Sequence, residues 1–247
     1  MKTAMKNLLL RILALPPFAR LAARPLIGRY LCDHSVKKLH LGGGGLRGWL
    51  NSDLSPSHWR IARLDATQPF PLADASFTYV FSEHMIEHVP LDGARRMLAE
   101  CHRVLRPGGR IRLATPDLAR VVGLYATTDA PRQAYLRWAV AHNRLPMGVS
   151  ADVMVINSLF HDHGHQFLFD EAALAALLLA AGFAGIRRHA PGESDCPDLR
   201  GLEMHHQVIG NMANNFETLV LEAEKPVFPA ESSNPAPAAT QADPTHP

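Results

Sequence analysis

The sequence predicts an α/β fold in which helices cover both faces of a mainly parallel sheet. Three observations carry that expectation. Between residues 36 and 225, short β-rich runs alternate with stretches whose apolar residues recur every three or four positions. Four consecutive glycines, Gly42 to Gly45, follow the first run directly. The next two runs each end on an aspartate, Asp53 and Asp65.

Taken in order, residues 36–41 read as a strand that runs into the glycines, and residues 49–54 and 61–64 as two more short strands. A fourth strand spans 77–81. Residues 91–105 read as a helix, because Ala94, Met97, Leu98, Cys101, Val104 and Leu105 share one helical face. Arg106-Pro107-Gly108-Gly109 is expected to stop it, since proline and glycine end helices. A fifth strand at 110–114 leads to a helix beginning at Asp117. A late helix at 170–181 is closed by Gly182, and strands at 186–190 and 218–224 complete the set. Strands separated by helices imply right-handed crossovers and parallel pairing within one domain.

Composition bounds the rest. A chain of 247 residues with 47% hydrophobic content can bury a sizeable core. Its longest apolar run, 172–186, falls short of the ~18 residues of a membrane span. Cys32, Cys101 and Cys196 are odd in number and far apart, which supports neither a disulfide framework nor a thiolate zinc site and points to a reducing cytosol.

The net charge of +2 hides an asymmetry. Residues 1–32 hold Lys2, Lys6, Arg11, Arg20, Arg24 and Arg29 with no acid, leaving 19 basic against 23 acidic groups in the remainder. A mildly acidic body excludes a general nucleic-acid binder. The organisation expected is therefore a basic amphipathic arm at 1–35, a domain at 36–225 and a disordered tail at 226–247, where six of 22 residues are proline. The arm either packs on the domain as a helix or lies peripherally on the anionic inner face of the membrane.

A glycine loop at the carboxyl edge of a parallel sheet lets a ligand approach the backbone. The formal G-x-G-x-x-G of Gly43, Gly45 and Gly48 leaves only five residues before Asp53, too few for the helix of a dinucleotide site, which argues against a nicotinamide-dependent oxidoreductase. Asp53 is placed to accept hydrogen bonds from a ribose diol, and Asp65, before Ala66, from an exocyclic amine. Taken singly, each is an ordinary turn residue.

With those residues stand Leu39-His40-Leu41-Gly42-Gly43-Gly44 and Gly48-Trp49-Leu50-Asn51-Ser52-Asp53. Further along come Pro69-Phe70-Pro71-Leu72-Ala73-Asp74-Ala75-Ser76-Phe77, Ser82-Glu83-His84-Met85-Ile86-Glu87-His88-Val89 and Cys101-His102-Arg103-Val104-Leu105-Arg106-Pro107-Gly108-Gly109. Together they resemble the class I S-adenosylmethionine-dependent methyltransferases over residues 36–225, in the bacterial branch with a shortened first helix. The resemblance implies a Rossmann-like, doubly wound, seven-stranded sheet whose last strand is antiparallel. It implies S-adenosylmethionine as cofactor, with Gly42, Gly43 and Gly44 at its methionyl part and Asp53 on the ribose. Asp65 and Ala66 then lie near the adenine, and Ser82 to His84 along the outer edge. The family commonly has a cysteine or similar small residue where Gly43 stands.

Methyl transfer to a hydroxyl needs an aligned nucleophile and often a base. His84, Glu87 and His88 are polar candidates, as is the run His161-Asp162-His163-Gly164-His165. Glu87 and His88 read as a structural pair. Ligands at i, i+2 and i+4 converge poorly on one ion, so no metal is expected. Gly164-His165 ahead of Phe169-Asp170 resembles a family feature, which makes His165, together with His84, the catalytic expectation. Residues 127–165 and 191–213 are expected to rise over the carboxyl edge and close on the cofactor. The expected activity is O-methylation of a glycan-linked or other small polar acceptor. The competing reading is a non-enzymatic scaffold of the same fold.

Overall fold

The computed structural model describes residues 16–126, 128–143 and 150–227. Residues 1–15 and 228–247, which hold half of the basic arm and nearly all of the expected tail, lie outside the described residues.

The seven strands are β1 (Lys38–Leu41), β2 (Leu50–Asp53), β3 (Ala62–Arg63), β4 (Phe77–Glu83), β5 (Leu105–Pro116), β6 (Ala184–His189) and β7 (Thr218–Glu224). They lie in one sheet in the order β3-β2-β1-β4-β5-β7-β6. Pairing is parallel from β3 to β5, while β7 runs antiparallel to both β5 and β6. This is the doubly wound, Rossmann-like α/β sheet expected, antiparallel last strand included. Its direction of winding reverses between β1 and β4, where Leu41 pairs with Ser82, so the carboxyl edge opens a crevice there.

The helices are α1 (Pro16–Asp33), α2 (Leu91–Val104), α3 (Leu118–Val122), α4 (Ala130–Asn143), α5 (Ala151–His161), α6 (Glu171–Ala180), α7 (His206–Ile209) and α8 (Asn211–Glu217). Asp117 and Asp170 cap α3 and α6 by accepting backbone N–H bonds. The main core joins Leu39, Leu41, Val80, Ile111, Leu113 and Leu221 of the sheet to the predicted face of α2 and to Leu174 and Leu178 of α6.

Three local expectations change, and one of two open alternatives is taken. The helix α2 ends at Val104, and Arg106 to Gly109 lie inside β5 instead of forming a separate stop. That stretch stays in the sheet because Gly108 donates to the Lys225 carbonyl and Lys225 to the Gly109 carbonyl. Arg103 acts structurally: its guanidinium donates to Glu100, Asp74 and the carbonyls of Phe70 and Leu72, tying down the proline-rich loop.

Second, of the two placements open to the arm, α1 takes the packed one over its last turns. Ala23, Ile27 and Tyr30 are buried in the main core, and the Tyr30 hydroxyl bridges the carbonyls of Lys38 and Gly48. Third, residues 194–202 do not rise over the carboxyl edge. They lie along the sheet face where no helix links β1 to β2, and Cys196, Leu199 and Leu202 pack there on Trp49 and Phe81. Beneath them Arg112, fully buried, is held by Glu203 and Glu222, each at 2.5 Å, and by the Glu193 carbonyl at 2.8 Å. An apolar strip with one buried ion cluster thus replaces the missing helix.

Fourth, the paired reading of Glu87 with His88 fails. The fully buried Glu87 carboxylate faces His84 and the Thr115 hydroxyl. Meanwhile α3, α4, α5 and α8 build a second core from Val121, Leu124, Tyr135, Leu159 and Phe216 beyond the carboxyl end of β5.

Candidate active site

The first side of the site is the loop from Gly42 to Gly48. Gly42 and Gly43 both donate to the Ser52 carbonyl, curling the chain back over β2. Gly42 has φ +80°, and a Cβ there would sit 2.2 Å from Met85 Cγ. At Gly43 a Cβ would come within 2.8 Å of the His40 ring. His40 therefore fills the space that a side chain at position 43 would need: it stacks on Phe81 and its Nδ1 meets Asn51 Oδ1 at 2.9 Å. Asn51 also bonds the backbone of Leu46 and Trp49, so the loop is pinned from inside despite its glycines.

Asp53, at the tip of β2, accepts the Ser55 amide at 2.7 Å, and Asp65 accepts both the amide and hydroxyl of Thr67. A depression beside Asp65 is lined by Leu54, Arg63, Leu64, Gln68 and Pro69, with Ala66 partly buried nearby. At the end of β4 the Ser82 hydroxyl is buried without a hydrogen-bond partner. A polar atom in that state costs roughly 1–3 kcal/mol unless something binds it.

The other side is a cluster of histidines and acids. His84 follows β4 with φ +45°, a left-handed conformation that costs a non-glycine residue about 1–2 kcal/mol. Its Nδ1 lies 3.2 Å from Glu87 Oε1, an ion-pair contact more than an aligned hydrogen bond. Burial disfavours the charged ring, but Glu87 outweighs it and raises the His84 pKa. Burial likewise opposes the Glu87 charge, yet the His84 contact holds that carboxyl below its ordinary range. The ring of His205 lies 4.0 Å from that of His84. Glu83 fixes it by accepting the amides of Met204 and His205. Burial, helped by His84, pushes the His205 pKa down to about 3. Glu217, at the end of α8, comes within 3.8 Å of His205, pairs with Tyr135 and has its pKa raised by burial.

His165 stands on the far side of Glu87, its ring 4.9 Å from that of His88. Its Nδ1 meets the Leu159 carbonyl at 2.6 Å, and burial lowers its pKa. His163 packs against it and bonds Ser158, while His161 is exposed at the end of α5. The two expected catalytic histidines are thus gathered around one buried carboxylate. Of the other members, Glu83 lies in the expected Ser82–His84 edge and Tyr135 and His205 in the two expected insertions, while Glu217 was not anticipated, because no local spacing marks it.

A doubly wound sheet with a glycine loop, strand-end acids and a histidine cluster along one edge defines an α/β protein with a ligand crevice at its switch point. Residues 47–113 match the family model described as a methyltransferase domain. No curated protein sequence matches the chain. Solved structures similar to it include a methyltransferase of Thermotoga maritima described as S-adenosylmethionine-dependent and a possible histamine N-methyltransferase, at 17% identity over 90% of this chain and 97% of that one, with a TM-score of 0.43. Another is an S-adenosylmethionine-dependent methyltransferase of Archaeoglobus fulgidus, at 14% identity over 84% and 94%, with a TM-score of 0.46. A third is phosphoethanolamine N-methyltransferase 2 of Haemonchus contortus, solved with S-adenosyl-L-methionine, at 15% identity over 83% and 52%, with a TM-score of 0.42. Among the described residues no helix is long and apolar enough to cross a membrane.

Proposed function

We propose that the chain is an S-adenosylmethionine-dependent O-methyltransferase acting on a carbohydrate-linked or other small polar acceptor. The observation that carries this reading is the convergence of the Gly42–Gly45 loop, Asp53 and the unpartnered Ser82 hydroxyl on the switch point between β1 and β4. The methyltransferase-domain match over residues 47–113 supports it.

In this reading the backbone of Gly42, Gly43 and Gly44 faces the methionyl group, Asp53 accepts from the ribose, and Asp65 with Ala66 borders the adenine. Ser82 to His84 line the outer edge. When bound, S-adenosylmethionine supplies a sulfonium methyl group open to in-line displacement. The Nδ1 contact with Leu159 fixes the His165 ring so that Nε2 is its accepting nitrogen. Burial keeps the ring neutral, so Nε2 takes the proton of the acceptor hydroxyl as the new C–O bond forms. The enzyme is read as cytosolic, with Lys2, Lys6 and Arg11 carrying charge that an anionic membrane surface attracts.

Calorimetric titration with S-adenosylhomocysteine tests the reading. One-to-one binding is expected, and Asp53→Ala weakens it by about 10- to 150-fold, the loss of charge-assisted hydrogen bonds of roughly 1.5–3 kcal/mol. Absence of heat at millimolar ligand, or tight NADH binding in its place, overturns it.

A further inference from the structure

The cluster behind β4 contains an arrangement that methyl transfer alone does not call for. His84, His205 and Glu217 each offer one ligand atom, and these atoms all lie within 4.8 Å of one another. Two of the side chains carry buried atoms without any hydrogen-bond partner, His84 Nε2 and Glu217 Oε2. Native interiors seldom leave such atoms unpaired.

We propose that His84, His205 and Glu217 form a three-ligand site for a divalent first-row transition ion of the Zn2+ type. With Nδ1 of His84 turned to Glu87, the nitrogen facing the cluster centre is Nε2. With the His84 proton on Nδ1, towards Glu87, two neutral imidazole nitrogens and a carboxylate gather three acceptors within 4.8 Å of one another. A water molecule has two protons to give them, whereas a cation satisfies all three. Two nitrogens and one carboxylate oxygen are a borderline ligand set suited to Zn2+, Co2+ or Fe2+ and poorly suited to Ca2+ or Mg2+. Three protein ligands leave a further coordination position for water or another ligand, as in catalytic metal sites.

The surroundings are built as such sites are. Glu87 stands behind His84, the carboxylate–histidine–metal arrangement that fixes tautomer and ring direction. Glu83 holds the backbone of His205, and Tyr135 steadies Glu217. Zinc–ligand bonds of ~2.0–2.2 Å put tetrahedral ligand atoms about 3.3 Å apart. The 3.8 Å gap between His205 Nε2 and Glu217 Oε1 would then close by about half an ångström, and a gap at the 4.8 Å limit of the cluster by about 1.5 Å. A neighbouring group of Glu87, His88 and His165 is also close-set. Its Glu87 is already committed to His84 and to Thr115 at 2.9 Å, so it serves as support and not as a ligand.

The test is metal binding itself, independent of any methyl transfer. Full-length protein without a polyhistidine tag, stripped with chelator, is titrated with Zn2+ by calorimetry and with Co2+ by its visible ligand-field absorption. One ion per chain is expected at low-micromolar affinity or tighter. His205→Ala and Glu217→Gln should each weaken it by about 100-fold or more, and Glu87→Gln by about 10- to 100-fold as a positioning residue. His165→Ala should stay within about threefold of wild type. His205 is half-buried on a loop, so its variant reports even if the Glu217 variant fails to fold. Absence of wild-type binding at 100 µM overturns the proposal, as does wild-type affinity in His205→Ala. Loss in His165→Ala with retention in His205→Ala also overturns it. S-adenosylhomocysteine binding without metal binding sinks this inference and leaves the methyltransferase reading standing; the reverse result does the opposite.

Discussion

Replacing Glu203 with glutamine is the sharpest stability test of how the uncovered sheet face is closed. Glu203 Oε1 accepts from Arg112 Nε at 2.5 Å and Oε2 from the Gly192 amide at 2.9 Å, while both ends of the Arg112 pair are buried. The amide in Glu203→Gln keeps only one acceptor. Either Gly192 loses its partner or an NH2 group meets the Arg112 N–H, and in both cases a guanidinium with one nitrogen already unpartnered loses half its counter-charge. Breaking a buried pair from one side costs about 3–5 kcal/mol. At about 2–4 °C per kcal/mol for a domain of this size, the melting temperature should fall by about 6–20 °C. Thermal unfolding by circular dichroism measures the fall, and hydrogen exchange should quicken first in residues 191–205. Glu193→Gln is the control: only its carbonyl touches Arg112, so it should stay within about 0.5 kcal/mol of wild type. A Glu203→Gln melting temperature within 2 °C of wild type would refute the account.

Two further outcomes follow from the fold. Tyr30→Phe removes a hydroxyl that receives the Lys38 amide and reaches the carbonyls of Lys38 and Gly48, so denaturant unfolding should show a loss of about 1–3 kcal/mol; an unchanged midpoint would detach α1 from the fold. Arg103 lowers the Glu100 pKa below the ordinary 4.5, so the ionised group adds stability above that pH and the gain is lost as the pH falls through the lowered value. Glu100→Gln should therefore cost about 1.5–3 kcal/mol near neutrality, with the gap to wild type narrowing in acid, and a gap that does not narrow would assign the loss to the Phe70 amide contact instead.

The parts of the fold legible in the sequence are those set by neighbours in the chain. The period of Ala94, Met97, Leu98 and Cys101 fixed α2, the aspartates at 117 and 170 marked two helix starts, and β7 fell where its run of residues predicts. The crevice was legible too, because a glycine run after a strand and acids at strand ends are local signals. Where the contacts bridge some ninety residues or more, no local signal marks them. Nothing near Arg112 says that its charge is answered by Glu203 and Glu222, and nothing near His84 points to Glu217. Glu87 was misassigned because sequence adjacency suggested His88, whereas the turn after β4 directs it to His84 and Thr115.

The strip at 194–202 has a consequence for how the chain comes together. A helix between β1 and β2 would have shielded Trp49 and Phe81 as soon as those strands formed. Here that cover is supplied only after some 150 further residues have been made. The strand β6 must wait as well, since its partner in the sheet is β7, the last strand synthesised. Emerging from the ribosome, the first half of the sheet therefore carries a bare aromatic face and an unanswered Arg112. Native structure has to arrive late and nearly all at once, and closing such long loops slows folding. This order of events leaves that aromatic face without its cover on the nascent chain until residues 194–202 have been made.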